Sequence, residues 1–164
     1  MLTAGYGNLG FEGFIARLKG LGVTHFVDVR SVPESSYWEE FRRRNLEILV
    51  PETGLEYVYM GDTLGGVAGS ATLCKEPGEV PIGPLAEGAT FRTGIARLAK
   101  AAARPDRRIA LVCGCLRPYR CHRARLIAPA ALEAGMDVRH VMADGSVVTH
   151  DEIADDVVVQ GKLF

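Results

Sequence analysis

The sequence lacks several features that would settle its function at once. No apolar run approaches the roughly 20 residues of a bilayer span, so no membrane segment is expected. The first residues show no basic stretch followed by an apolar one, so no secretory leader is read and the expected compartment is the cytoplasm. Neither sign of charge is in excess: 19 Lys and Arg face 20 Asp and Glu, a net charge of −1. That balance argues against an extended nucleic-acid binder and confines any phosphate attraction to a local patch. There are no internal repeats. Cysteine is scarce, with four in 164 residues. In a chain without a leader, four thiols point to reduced sulfur rather than a disulfide framework.

What is present is concentrated. Cys113, Cys115, Cys121, His122 and the arginines Arg117, Arg120, Arg123 and Arg125 all fall within one short stretch. They follow the apolar run 109–112, which has the character of a strand covered on both faces. A helix is predicted to open at 121–128. Strand, loop, helix is the unit whose C-terminal edge binds ligands in open α/β sheets.

The rest of the chain repeats that alternation. Strands are predicted at 1–4, 24–29, 55–59, 109–112 and 138–142. Helical spacing links Phe11, Phe14, Ile15 and Leu18; Trp38, Phe41, Leu46 and Leu49; and Phe91, Ile95, Leu98 and Ala102. A fourth stripe, Leu126, Ile127, Ala130 and Ala131, is interrupted by Pro129, where a kink or early end is expected. The pattern predicts one three-layer, Rossmann-like α/β domain over 1–164 with a mainly parallel sheet. Between 60 and 88, seven glycines and three prolines predict a long covering loop, with Cys74 and Lys75 near its middle. Asp144-Gly145 marks a turn, and the tail is acidic.

Candidate roles follow from chemistry and placement. Cys121, at the start of a helix and among guanidinium groups, is a candidate nucleophile. His122 and Asp28 are candidate acid/base groups. Arg30, Arg117, Arg120 and Arg123 are candidate anion ligands, suited to fork-like contacts with phosphate. Cys113 and Cys115 line the same pocket. The spacing excludes the phosphatase loop of Cys, five residues and Arg, because Cys121 stands six positions beyond Cys115 and Tyr119 six beyond Cys113. Zinc or an iron–sulfur centre is the minor alternative: the ligand types fit, but paired Cys-x-x-Cys knuckles are absent, and no cofactor is expected. Gly5, Gly7 and Gly10, with Asp28 beyond, also match a dinucleotide fingerprint, yet a tight turn needing glycine explains them equally. The composite expectation is an enzyme acting on a phosphorylated or nucleotide-like anion. A phosphate-binding module without turnover is the alternative from a different class.

Several motifs resemble one family in order and spacing: Thr3-Ala4-Gly5-Tyr6, Asp28-Val29-Arg30-Ser31-Val32-Pro33, Gly54-Leu55-Glu56-Tyr57, Leu64-Gly65-Gly66 and Cys121-His122-Arg123. Together they are similar to the domain of unknown function 488 family. The resemblance implies a Rossmann-like domain without a settled reaction. It adds Tyr6, Gly65 and Gly66 to the pocket and makes the dinucleotide match an accident. The chain departs from the family pattern at Tyr6, where relatives usually carry His, and at Cys113-Gly114-Cys115, where a Cys-Ala-Glu type is common.

Overall fold

The computed structural model describes residues 1–68, 71–72 and 82–153. Strand β6 (Ile109–Cys113) is the centre of the sheet and is buried along its whole length. It pairs in parallel with β1 (Leu2–Gly5) on one side and β2 (His25–Asp28) on the other. Beyond β2 lies β3 (Glu56–Tyr59), and beyond β1 lies β7 (Arg139–Val141). The order is β3-β2-β6-β1-β7-β8, parallel except for β8 (Val147–Thr149), which returns antiparallel after the Asp144-Gly145 turn. The expected α/β class and mainly parallel sheet are therefore present.

Alternation along β6 builds the two flanking layers. Ile109, Leu111 and Cys113 face α5 (Ala89–Ala102), which presents Phe91, Ile95 and Leu98. Ala110 and Val112 face α1 (Gly10–Gly20), with Phe14, Ile15 and Leu18, and α2 (Arg43–Glu52), with Leu46 and Val50. Phe14, Phe26, Phe41 and Tyr6 meet mostly edge-on, except that Tyr6 stacks on Phe41 at 3.8 Å. Gly7 and Gly10 turn β1 into α1 with φ of 49° and 68°, the conformation expected of a tight glycine turn.

Three local expectations need revision. Where it is described, the Gly/Pro-rich segment is not loop alone. It forms α3 (Gly61–Leu64), a small hairpin of β4 (Val67–Ala68) and β5 (Ala71–Thr72), and α4 (Ile82–Glu87). Glycine there permits close packing as well as chain freedom. Cys74 and Lys75 lie outside the described residues. The helix predicted around Trp38 splits into a 3₁₀ turn (Glu39–Phe41) and α2. Finally, Pro129 does not end its helix. The preceding residues Arg123–Ile127 open into a wide π turn that runs into α6 (Ala128–Glu133). Proline can neither donate to the carbonyl four residues back nor tolerate it against its ring, and a wider turn absorbs that conflict. Among the described residues no helix is long and apolar enough to cross a membrane.

The glycines distinguish close packing from spare space. A Cβ on Gly61 would stand 1.9 Å from the carbonyl oxygen of Arg30, whereas one on Gly20 would meet nothing within 4 Å. Gly61→Ala is expected to destabilise the fold by about 1–3 kcal/mol. Gly20→Ala, at the end of α1, should be neutral or stabilise by less than about 1 kcal/mol. Guanidinium unfolding midpoints of the two variants would decide, and equal midpoints would contradict this packing.

Candidate functional site

The C-terminal ends of β1, β2 and β6 converge, and each delivers part of the site. Asp28, at the end of β2, is fully buried, and Arg30 follows two residues later on the same face. The guanidinium grips the carboxylate with both prongs: Nε donates to Oδ1 at 2.8 Å and NH2 to Oδ2 at 2.6 Å. Arg30 NH1 reaches the Tyr6 hydroxyl at 3.2 Å, and the Tyr57 hydroxyl donates to Asp28 Oδ2 at 3.2 Å. Burial, then the Asp28 carboxylate, pushes the Tyr57 hydroxyl far above its ordinary range, so it remains a donor. Burial likewise raises Tyr6. The Asp28–Arg30 pair is thus part of an enclosed network. Its guanidinium is already committed to Asp28 and Tyr6.

The second group sits where β6 turns into the π helix. Cys121 has extended backbone (φ −108°, ψ 147°), while His122 is already helical (φ −57°, ψ −22°). That corner lets adjacent side chains converge. His122 Nδ1 lies 3.6 Å from Cys121 Sγ and 4.0 Å from Cys113 Sγ, and Cys115 Sγ lies 4.0 Å from Cys113 Sγ. His122 Nε2 is 2.9 Å from the carbonyl of Val29, so that nitrogen carries the proton and Nδ1 faces the sulfurs. Burial opposes the imidazolium, but the Cys121 and Cys113 sulfurs outweigh it and raise His122 well above the ordinary histidine range. Arg123, fully buried, donates from Nε to Cys121 Sγ at 3.2 Å and from NH2 to the Cys115 carbonyl at 2.5 Å. Among the described residues its NH1 has no hydrogen-bond partner, and neither has Arg125 NH1.

Close backbone approach seals this pocket. A Cβ on Gly66 would lie 2.5 Å from His122 Cβ, and one on Gly5 would lie 2.0 Å from the Cys115 carbonyl oxygen. Gly65 packs as closely on Ser31. Cys121 is fully enclosed, His122 is 3% exposed and Cys113 5%. Cys121, read from the sequence as a candidate nucleophile among guanidinium groups, is thus enclosed, with Arg123 against its sulfur.

A family model described as "Domain of unknown function DUF488" matches residues 10–129. The chain belongs to this family. No curated protein and no solved structure matches it. The DUF488 match contains Asp28, Arg30, Gly65, Gly66 and the Cys113–Arg123 stretch, but not Tyr6 or the strands β7 and β8.

The structure thus brings Tyr6, Asp28 and Arg30 into one cluster and Cys113, Cys115, Cys121, His122 and Arg123 into a neighbouring one. Val29 joins them. Arg117 and Arg120, expected beside these groups, are exposed on the 3₁₀ turn before Cys121. A cleft of about 480 Å³ lined by Arg107, Arg108, Asp137 and Arg139 opens at the other, N-terminal edge of the sheet and holds none of the reactive residues. Cys113, Cys121 and His122 also form a group able to hold a metal ion, with donor atoms all within 4.8 Å of one another.

Sequence reasoning missed Tyr57 as a partner of Asp28, although it lies in the quoted Gly54–Tyr57 motif. It also missed a buried relay on the far side of β1, where Thr3 Oγ1 lies 2.8 Å from His140 Nδ1 and His140 Nε2 lies 3.0 Å from His150 Nδ1. No local motif announces a pairing across more than a hundred residues. Burial, then the neighbouring His150, lowers the His140 pKa to about 4.

Two outcomes follow. Asp28→Asn leaves the Arg30 guanidinium buried without its counter-charge and is expected to cost about 3–5 kcal/mol; a loss below about 1 kcal/mol in chemical denaturation would mean that the pair is solvated. His140 stays neutral in the fold while the unfolded chain protonates near pH 6.5. Its stabilisation is therefore complete above that pH and is lost as pH falls towards about 4. Over that window His140→Gln should be spared up to roughly 3 kcal/mol of the wild-type loss. Parallel stability curves for the two proteins would refute the assignment.

Proposed function

We propose that this chain is an enzyme that acts on a phosphorylated or nucleotide-like anion at the Cys121–His122–Arg123 corner, with Cys121 as its reacting sulfur. The observation that carries this reading is the state of Arg123. A fully buried guanidinium uses two of its nitrogens on Cys121 and Cys115, and NH1 meets no acceptor among the described residues. A buried charged donor without an acceptor is costly, and an anionic ligand supplies both the acceptor and the charge.

The roles follow from the geometry. Arg123 NH1 receives the anion, while its Nε–H on Cys121 Sγ favours the thiolate. The Cys121 thiolate attacks the electrophilic centre beside the anion, forming an S–substrate bond as the bond to the leaving group breaks. Water then cleaves that intermediate to return the thiolate. His122, held at Nε2 by Val29, turns Nδ1 towards the sulfur and passes a proton to or from the reacting group. Arg30, locked on Asp28 and Tyr6, keeps the floor of the pocket rigid. Because Cys121 is enclosed, attack requires the Gly65-Gly66 backbone above His122 to lift.

Calorimetry and thermal shift with phosphate, pyrophosphate and mononucleotides test this. At least one is expected to bind and raise the melting temperature. Arg123→Lys keeps the charge and loses the fork, so affinity should fall about tenfold or more. Arg97→Ala, on the exposed side of α5, should leave it unchanged. Cys121→Ser removes the sulfur and keeps Arg123, so it should retain binding and lose turnover. A panel in which no anion binds, or in which Arg97→Ala weakens binding as much as Arg123→Lys, would end this reading. Turnover that survives Cys121→Ser would make the sulfur a bystander.

A further inference from the structure

The proposed reaction uses two corners of a triangle, Cys121 and His122, whose third corner is Cys113. Cys113 Sγ, Cys121 Sγ and His122 Nδ1 lie within 4.8 Å of one another, with Nδ1 at 3.6 and 4.0 Å from the two sulfurs. Around a tetrahedral zinc ion, with Zn–S about 2.3 Å and Zn–N about 2.0 Å, donor atoms sit roughly 3.5–3.8 Å apart. Shifts of a few tenths of an ångström would close the two nitrogen–sulfur pairs on an ion, and a somewhat larger movement would bring in the third edge. Cys115 Sγ, 4.0 Å from Cys113 Sγ and half-buried, stands at the rim where a fourth ligand belongs.

The surroundings favour the same conclusion independently. His122 Nε2 is tied to the Val29 carbonyl, the outer contact that fixes a metal-binding imidazole and aims its other nitrogen. Arg123 Nε–H on Cys121 Sγ is the matching outer contact to a thiolate ligand. Two sulfurs and an imidazole in a nearly dry pocket form a soft donor set that selects zinc over magnesium or calcium.

We propose that the closed site binds one zinc ion through Cys113, Cys121 and His122, and that this ion competes with the anionic substrate for Cys121. The proposal rests on the reading of Cys121 as the reacting sulfur and adds a regulator of that residue. Binding is a proton exchange: the two sulfurs and His122 Nδ1 release the protons they hold, the imidazole binds through the Nδ1 lone pair so freed, and two thiolates balance the charge of the ion. No electron moves. A thiolate that donates one lone pair to zinc keeps others, but the ion withdraws their electron density and makes the sulfur a weaker nucleophile than the uncoordinated thiolate. Since the triangle is assembled in the enclosed form, zinc also draws the population towards that form and away from the one that admits substrate.

The full chain, stripped of metal and kept reduced, is titrated with zinc against a chromophoric chelator, and with cobalt for its thiolate charge-transfer band. One ion per chain is expected. Cys113→Ser and His122→Asn should each weaken it by at least about tenfold, and Arg97→Ala should not. Peptide mapping after iodoacetamide, run for long enough to sample site opening, should show Cys121 labelled at least about tenfold more slowly with zinc than without, and chelator should restore the rate. Substoichiometric zinc, absence of the cobalt band, unchanged affinity in both ligand variants, or zinc binding that leaves Cys121 labelling unaltered would each overturn the proposal. The wild-type cobalt spectrum keeps the test decisive if a variant does not fold. A metal-depleted chain that binds pyrophosphate but takes no zinc removes this proposal alone, whereas zinc binding without any anion binding removes the enzyme reading.

Discussion

The bond between His122 Nε2 and the Val29 carbonyl holds the site together. Val29 continues β2 past Asp28, and His122 opens the helix that follows β6, so this contact adds to the ladder between β2 and β6 in tying the two strand ends together. It commits Nε2–H to a carbonyl acceptor and therefore leaves Nδ1 to face the sulfurs. It also places Cys121 and Arg123, on either side of His122, against Cys113 and the Cys115 carbonyl. Gly66 has no side chain because His122 occupies that space. Weakening this bond would loosen the acid/base group, the sulfur and the anion ligand together.

Next to that contact lies a concentration of buried charge. Asp28 and Arg30 satisfy each other bidentately, with Tyr6 and Tyr57 taking part of what remains. Such a pair adds little net stability, since desolvation offsets much of its attraction, but breaking it is expensive. Its value here is positional: a guanidinium gripped on two nitrogens cannot wander. Arg123 is the opposite case, a buried cation held by two nitrogens and, among the described residues, without an acceptor at the third. One arginine fixes the frame and the other keeps its capacity for a ligand.

The frame was readable from the chain because a short apolar run such as 109–112, bounded by polar residues, fits a strand covered on both faces, and helical spacing of Phe14, Ile15 and Leu18 leaves one inward face. The chemistry of Cys121-His122-Arg123 was readable because reactive residues crowd a strand end. Other features were not. β8 is three residues long with exposed ends, too short for alternation to register. The segment 60–88 looked like loop because glycine signals both freedom and close approach, and composition does not separate the two. The roles of the arginines were mixed for a similar reason: a guanidinium type says nothing of burial, so Arg117 and Arg120 looked equivalent to Arg123. Thr3, His140 and His150 meet only through the fold.

The π turn at Arg123–Ile127 has a consequence for chain length. A turn closed five residues on, rather than four, sets the phase of the helix back by roughly one residue, or about 100°. What lies before it, the Cys121 corner, and what lies after it, the Ala128 and Ala131 face packed on the sheet, are registered to each other through that extra residue. The segment therefore works as a vernier. Side chains within it can be exchanged one for another, but removing or adding a single residue would turn the reactive corner against its own core, even if every named side chain were kept.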